Sequence, residues 1–224
     1  MFLINPYILQ ASGNPLWNDL LAYYTADNTP NDALGTYNGT LTNGATYGTG
    51  IINQGFSFDG VNDYATISPT FGASLTAPTS AFTYSAWVYK TKSGQGFIIQ
   101  NGTVDMGASL YVQSGGYIGL YYNGALQQTG STISAGFVSL NTWHHLVAVY
   151  DGAGSVTFYK NATNAGTKSI SWTDGTGTCN TYVGSYSGIS NYFGGIIDEV
   201  GVWNRALSAS EVTELYNSGA GLQY

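Results

Sequence analysis

The sequence predicts an all-β protein in which two antiparallel sheets pack as a sandwich, followed by one short C-terminal helix. Apolar and polar residues alternate with period two over much of the chain, which is typical of half-buried strands. Segments rich in Gly, Asn, Ser and Thr separate these stretches at intervals that suit an antiparallel sandwich. Charged residues make up only 8% of the 224 residues, too few for a helical bundle or a coiled coil.

The strands can be justified in chain order. Residues 56–67 predict two strands around the turn dipeptide Asp59-Gly60. The alternation is clearest over Phe82–Lys90 and Trp143–Tyr150, which we expect to be central strands. Shorter strands are predicted at 156–160, 181–184 and 196–203.

A single helix is predicted near the end of the chain, over residues 209–217. Ser208 and Glu211 have the spacing of a capping box, in which each side chain bonds the other residue's backbone N–H. Val212 and Leu215 lie three residues apart and share one apolar face.

The chain divides into an N-terminal leader at 1–19 and one domain at 20–224. The first nine residues are mostly apolar, but they lack a basic segment and Pro6 interrupts them, so they do not indicate a signal peptide. We expect residues 1–10 to attach to another subunit, either by adding a strand or by filling an apolar groove.

Four segments carry a resemblance to a known family. They are FSFDGVNDY at 56–64, AWV at 86–88, WHHLVA at 143–148 and GIIDEVGVWNRALS at 195–208. In this order the segments resemble the laminin G-like members of the concanavalin A-like lectin/glucanase superfamily. The resemblance implies a jelly-roll sandwich of two curved antiparallel sheets, often with one structural calcium ion, and a role that is mostly non-catalytic glycan or protein binding.

The composition excludes several partners. Five basic against twelve acidic residues give a net charge of −7, which argues against nucleic-acid binding because a phosphate-tracking groove needs clustered Lys and Arg. No apolar run approaches the roughly 20 residues that span a bilayer. Cys179 is the only cysteine, so no intrachain disulfide is expected.

Catalytic machinery is poorly represented. Retaining glycosidases need two carboxyl groups about 5–5.5 Å apart, which on one strand requires acidic residues at i and i+2 or i+4. The three glutamates do not provide this spacing, since Glu211 and Glu214 belong to the helix and Glu199 follows Asp198 on the opposite strand face. A polysaccharide hydrolase or lyase with carboxylates on different strands stays open as the less favoured alternative.

Asp198 is a candidate metal ligand. Alternation places it on the face of Val200 and Val202, and if that face packs inward its charge must be hydrogen-bonded, neutralised or bound to a metal. The resemblance implies that an N-terminal loop shares a calcium ion with this strand, and the matching residues are Asp32 and Asp27. The alternative is that Asp198 simply accepts backbone N–H bonds from that loop.

Ligand binding is expected to depend on aromatic residues, because sugars present apolar faces to Tyr and Trp while Asn binds their hydroxyls. The candidate residues are Tyr121, Tyr122, Asn123, Trp172, Tyr186, Asn191 and Tyr192.

The favoured function is a non-catalytic surface module of a phage virion, as head decoration or tail appendage, that binds a host-surface glycan. Its partners would be other virion subunits, through residues 1–10, and a second copy of the chain. The alternative is a lectin-like carbohydrate-binding domain of a bacterial cell-surface or secreted protein.

Overall fold

A computed structural model describes residues 13–68, 71, 80–102, 106–124, 129–170 and 180–224; for 106, 122–124 and 129–136 it describes the backbone alone. The described residues form fifteen strands and one α-helix. The elements are β1 Leu20–Tyr24, β2 Asn38–Thr42, β3 Thr46–Thr49, β4 Gln54–Asp59, β5 Tyr64–Ser68, β6 Phe82–Lys90, β7 Gly96–Asn101, β8 Met106–Val112, β9 Tyr117–Gly124, β10 Thr129–Phe137, β11 Trp143–Tyr150, β12 Ser155–Lys160, β13 Thr163–Ser169, β14 Thr181–Val183, β15 Gly194–Trp203 and α1 Ala209–Tyr216.

The strands form two antiparallel sheets. The eight-stranded sheet has the order β13-β12-β11-β6-β15-β4-β3, with β1 also paired to β15. The seven-stranded sheet has the order β10-β9-β8-β7-β14-β5-β2. The predicted all-β sandwich with a short C-terminal helix is therefore confirmed.

The main core lies between the two sheets. Tyr84, Ala86 and Val88 of β6 contribute to it from the eight-stranded sheet, and Leu110 of β8 and Leu120 of β9 from the seven-stranded sheet. These positions follow the period-two alternation, so one face of each strand is apolar and buried.

The outer face of the eight-stranded sheet is covered by residues 14–17 and by the segment that follows β15. Leu16 and Trp17 pack with Trp203 and Leu215 in a second apolar cluster, and the Trp203 indole N–H donates to the Leu16 carbonyl at 2.8 Å. Residues 14–17 of the predicted leader thus pack on the domain, whereas residues 1–12 lie outside the described part, where their attachment role stays a prediction.

Helix α1 begins as predicted. The Ser208 side chain accepts from the Glu211 N–H, and the Glu211 carboxylate accepts from the Ser208 N–H at 2.7 Å. The helix ends at Tyr216 because Asn217 takes a left-handed conformation with φ +46°. No helix in the described ranges is long and apolar enough to cross a membrane.

The predicted face of Asp198 is wrong, because a β-bulge interrupts β15. Glu199 has φ +49°, and the register with β6 shifts between Asp198 and Gly201. Such a bulge reverses the alternation after it. Val200 therefore points into the core, whereas Asp198 pairs with Trp87 on the outer face, where the Trp87 ring stacks on Tyr216 of α1.

Candidate functional site

Aromatic side chains gather on the outer face of the seven-stranded sheet, opposite to the side that carries Asp198. The alternation that buries Ala65, Leu110 and Leu120 in the core directs the intervening tyrosines outward. The loop 184–193, which connects β14 to β15, folds over the same face. We call this surface the tyrosine face; its members are Tyr64, Phe97, Tyr111, Tyr121, Tyr182, Tyr186 and Tyr192.

One half of the tyrosine face is a packed aromatic cluster. The Phe97 ring stacks on Tyr111 at 5.1 Å and lies 4.9 Å from Tyr186. Tyr121 meets Tyr186 edge-on at 5.5 Å, and the Tyr186 hydroxyl donates to the Tyr121 hydroxyl at 3.4 Å. Burial raises the pKa of Tyr111, so its hydroxyl stays neutral over the physiological pH range. These contacts hold the rings of Phe97, Tyr111 and Tyr186 in place beside the half-buried ring of Tyr121.

The other half is more open. Tyr64 stacks on Tyr192 at 6.4 Å and meets Tyr182 edge-on at 5.8 Å, and all three rings are half-buried. The Tyr192 hydroxyl donates to the Gly188 carbonyl at 3.0 Å. Next to them Ile189 is 67% exposed. The result is an exposed apolar and aromatic surface edged with hydroxyl groups.

The loop 184–193 is held in place by specific backbone contacts. The Gly184 N–H donates to the Ile98 carbonyl at 3.1 Å, and the Phe97 N–H donates to the Asn191 carbonyl at 3.2 Å. The side chain of the buried Gln100 accepts from the Ser187 N–H and donates to the Ser187 hydroxyl at 3.2 Å. These bonds order the aromatic residues before any ligand arrives, which lowers the entropy cost of binding.

Three of the predicted ligand residues, Tyr121, Tyr186 and Tyr192, come together on this face. Asn191 lies in the same loop with an exposed side chain. Tyr122 and Asn123 lie on β9, but their side chains are outside the described residues, as is the whole of Trp172.

Sequence reasoning missed four members of the tyrosine face: Tyr64, Phe97, Tyr111 and Tyr182. The period-two pattern could have indicated Tyr64 and Tyr111, since each neighbours a core residue on its strand. Their convergence depends on the strand order of the sheet, which the local pattern does not specify.

The three predicted calcium ligands are not brought to one point. Asp32 is buried, and its carboxylate accepts from four backbone N–H groups, those of Tyr23, Leu34, Thr36 and Tyr37, at 2.9–3.1 Å. These bonds satisfy both oxygens and fix the loop that follows β1.

Asp27 and Asp198 lie near each other on the eight-stranded sheet. Asp198 Oδ2 accepts from the N–H groups of Ile51 and Ile52 at 2.8 and 3.2 Å, and Asp27 Oδ1 accepts from the Gln54 N–H at 3.0 Å. In the described part of the chain, no three His, Cys, Asp or Glu residues are placed to hold a metal ion. A cation at these oxygens would face N–H donors, so the geometry does not fit calcium and favours the alternative of backbone bonding. Calcium binding stays a prediction.

Asp198 and Glu199 form a buried acidic pair. Burial raises the pKa of Asp198 to about 7, and burial together with the Asp198 charge raises the pKa of Glu199. Glu199 Oε1 accepts from the Gln223 amide at 3.2 Å, whereas its Oε2 is buried and has no hydrogen-bond partner among the described residues. The pair lies under the C-terminal residues on the side of the sandwich away from the tyrosine face.

The two adjacent histidines serve packing. His144 and His145 point to opposite sides of β11, and both are buried. His145 Nε2 lies 2.8 Å from the Ser85 hydroxyl, and its ring packs 5.2 Å from Trp87 under α1. Burial lowers the pKa of His145 to about 3, so the ring is neutral.

Comparison with known proteins identifies the family to which this two-sheet sandwich belongs. A laminin G family model, described as concanavalin A-like lectin/glucanases superfamily, matches residues 59–213. The chain belongs to this family. A search of curated protein sequences finds no match.

Solved structures share the fold at low identity. Domain 4 of AbnA, an extracellular arabinanase of Geobacillus stearothermophilus solved with arabinotriose, is 19% identical with a TM-score of 0.69 over 88% of this chain and 97% of that one. The binding domain of Paraclostridial Mosquitocidal Protein 1 is 16% identical with a TM-score of 0.68, covering 91% of this chain and 53% of that one. The binding domain of botulinum neurotoxin DC, solved with SialylT, is 13% identical with a TM-score of 0.65, covering 91% and 52%. The chain thus spans about half of these toxin binding domains.

Proposed function

We propose that this protein is a non-catalytic module that binds a glycan on its tyrosine face. The observation that carries the proposal is the half-exposed group of Tyr64, Tyr182 and Tyr192, whose rings are ordered by the loop 184–193. Aromatic rings stack on the apolar faces of sugars, and hydroxyl groups at their edges bind sugar hydroxyls. The AbnA domain and the neurotoxin DC domain, which were solved in complex with arabinotriose and SialylT, support this class of ligand.

The placement of the carboxylates supports a binding role over catalysis. Asp198 and Glu199 are the adjacent buried acids of the described chain, and they face the opposite side of the sandwich from the tyrosines. Asp32 and Asp63 each accept backbone N–H bonds, which fixes them in structural roles. A hydrolase would need two carboxyl groups directed at the bound sugar.

A glycan array with the full chain tests the proposal. We expect binding to a limited set of glycans, strongly reduced by Tyr64→Ala combined with Tyr192→Ala. Tyr224→Ala is the matched control, since Tyr224 packs against Trp17 on the far sheet. Mass spectrometry of the bound glycans should show them uncut. Cleaved products, or equal binding by the double variant, would contradict the proposal.

The finer part of the proposal places the module on a phage virion, attached through residues 1–10. Its support is the apolar leader before a sandwich of low charge. The test is density-gradient centrifugation of phage particles with the tagged full chain: wild type should sediment with the particles, and a variant with Phe2, Leu3 and Ile4 changed to Ser should not. If the wild-type chain stays free, the module is better assigned to a bacterial surface or secreted protein.

A further inference from the structure

A separate cavity lies at one end of the sandwich. It has a volume of about 220 Å³ and lies between the end of β6, the turn between β8 and β9, and the segment that follows β10. Its lining includes Lys90, Ser93, Ser114, Phe137 and Leu140, none of which belongs to the tyrosine face. Pockets for drug-sized ligands have volumes of roughly 300–1,000 Å³, so this cavity suits a group the size of one ring.

Lys90 lines this cavity and carries a buried ammonium group. It continues the inward-facing series of Ala86 and Val88 on β6, and it is only 3% exposed. Its ammonium donates to the Lys92 carbonyl and lies 5.9 Å from the centre of the Phe193 ring. Burial lowers the pKa of Lys90. Within the described residues this ammonium forms no ion pair with a carboxylate, and a buried charge without a counter-charge is costly.

The opposite wall of the cavity is apolar and held in shape. Phe137 is 48% exposed and meets Tyr117 edge-on at 5.7 Å. Gly116 has φ +81°, and a Cβ there would come within 2.8 Å of the Phe137 ring. The Phe137 carbonyl accepts from the Lys160 ammonium at 2.7 Å, and this bond helps to hold the backbone of Phe137 in place.

We propose that this cavity binds the carboxylate-bearing ring of an acidic sugar, with the Lys90 ammonium as the counter-charge and Phe137 against the ring. One ammonium matches the single charge of a carboxylate, whereas phosphate and sulfate are usually bound by several N–H donors or a bidentate arginine. The hydroxyls of Ser93 and Ser114 supply the polar partners that a sugar ring needs. Both sialic acids and uronic acids carry this chemistry.

Calorimetric titration of the full chain tests the proposal with two probes, the methyl glycosides of N-acetylneuraminic acid and of glucuronic acid. The methyl ester of each sugar serves as its neutral counterpart. We expect at least one acid to bind, and its ester to bind at least tenfold more weakly. The acid that binds identifies the source of the carboxylate.

The variants are Lys90→Met, which keeps most of the length of the side chain and removes its charge, and Lys168→Met, a control on the exposed edge strand β13. Lys90→Met should lose at least tenfold in affinity with an unchanged circular dichroism spectrum, while Lys168→Met should bind like wild type. If Lys90→Met does not fold, Phe137→Ala gives the same test from the other wall. Binding that is unaffected in these variants, equal binding of the esters, or failure of both acids to bind would overturn the proposal without bearing on the tyrosine face.

Discussion

Asp32 illustrates how one buried side chain fixes local backbone structure in this protein. Its carboxylate accepts hydrogen bonds from four backbone N–H groups, one in β1 and three in the loop that follows. The donor in β1 is Tyr23, and β1 pairs with β15. Hydrogen bonds to a charged acceptor are stronger than neutral ones, and leaving their donors buried and unpaired costs more than the bonds contribute.

Replacement of Asp32 should therefore be severe. We expect Asp32→Ala to lower the free energy of unfolding by about 3 kcal/mol or more, since several N–H groups lose their acceptor. Lys168→Ala, at an exposed position of β13, is the control and should change it by less than about 0.5 kcal/mol. Urea denaturation measures both, and a similar small loss in the two variants would contradict the role given to Asp32.

The buried pair Asp198 and Glu199 predicts a specific pH dependence. In the folded protein the pKa of Asp198 is raised from 3.8 to about 7, so the folded state holds a proton that the unfolded state releases. The stability from this proton is present at pH 4 and is lost as pH rises through 7. His145, with its pKa lowered from 6.5 to about 3, has the opposite effect, since it stabilises the fold fully above pH 6.5 and this contribution is lost as pH falls towards 3.

The variant Glu199→Gln separates the contribution of the carboxyl pair to the pH dependence of stability from the contribution of His145. We expect the variant to be more stable than wild type by about 1–3 kcal/mol at pH 8, and nearly equal to it at pH 4, where both carboxyl groups are already protonated. Urea denaturation at pH 4, 6 and 8 measures the difference. If the difference in the free energy of unfolding between Glu199→Gln and wild type did not increase with pH, the charge of the pair would not destabilise the fold.

Calcium is tested at the same residues by metal removal. Because the oxygens of Asp27, Asp32 and Asp198 already accept N–H bonds, we expect the melting temperature to be the same in calcium chloride and in EDTA. If calcium raised the melting temperature and Asp198→Asn abolished that increase, a metal site at these residues would be established.

At the scale of elements, the loop 184–193 completes the tyrosine face by adding Tyr186 and Tyr192 to the strand residues, and its shape depends on glycine. Gly184 has φ +88°, and a Cβ there would lie 2.8 Å from the Phe58 ring. The loop therefore approaches the core too closely for any larger residue.

This contact gives a prediction with a matched control. Gly184→Ala should lower the free energy of unfolding by about 2 kcal/mol or more, because backbone strain and a steric clash add together. Gly94→Ala, with a similar φ of +94° and nothing within 4 Å of its Cβ, should show only the strain, about 1 kcal/mol. Chemical denaturation compares the two; equal losses would mean that the contact with Phe58 is unimportant.

The elements also show what the sequence can and cannot predict. The capping box of α1 and the strands β6 and β11 follow from local patterns, because each depends on residues close in the chain. The face of Asp198 could not be predicted, since the positive φ of the bulge falls on Glu199, a residue type that rarely adopts this conformation. Tyr64 and Tyr182 lie 118 positions apart in the sequence and meet only because β5 and β14 are neighbours in the sheet.

For the whole molecule, the sandwich separates two kinds of surface. The outer face of the eight-stranded sheet is covered by α1 and by residues 14–17, and it buries Asp198, Glu199 and His145. The outer face of the seven-stranded sheet carries the ordered tyrosines. This division is what a binding module requires: one side supplies stability, and the other presents rings and hydroxyls to a ligand.

The most direct test of this account is calorimetric titration of Tyr192 variants with the glycan that the array binds best. Tyr192→Phe keeps the ring that stacks on Tyr64 and removes only the hydroxyl bonded to Gly188. The account predicts that Tyr192→Phe keeps affinity within about threefold of wild type, whereas Tyr192→Ala loses at least tenfold, or about 1.4 kcal/mol. Equal affinity of Tyr192→Ala and wild type would contradict it and place the glycan elsewhere on the molecule.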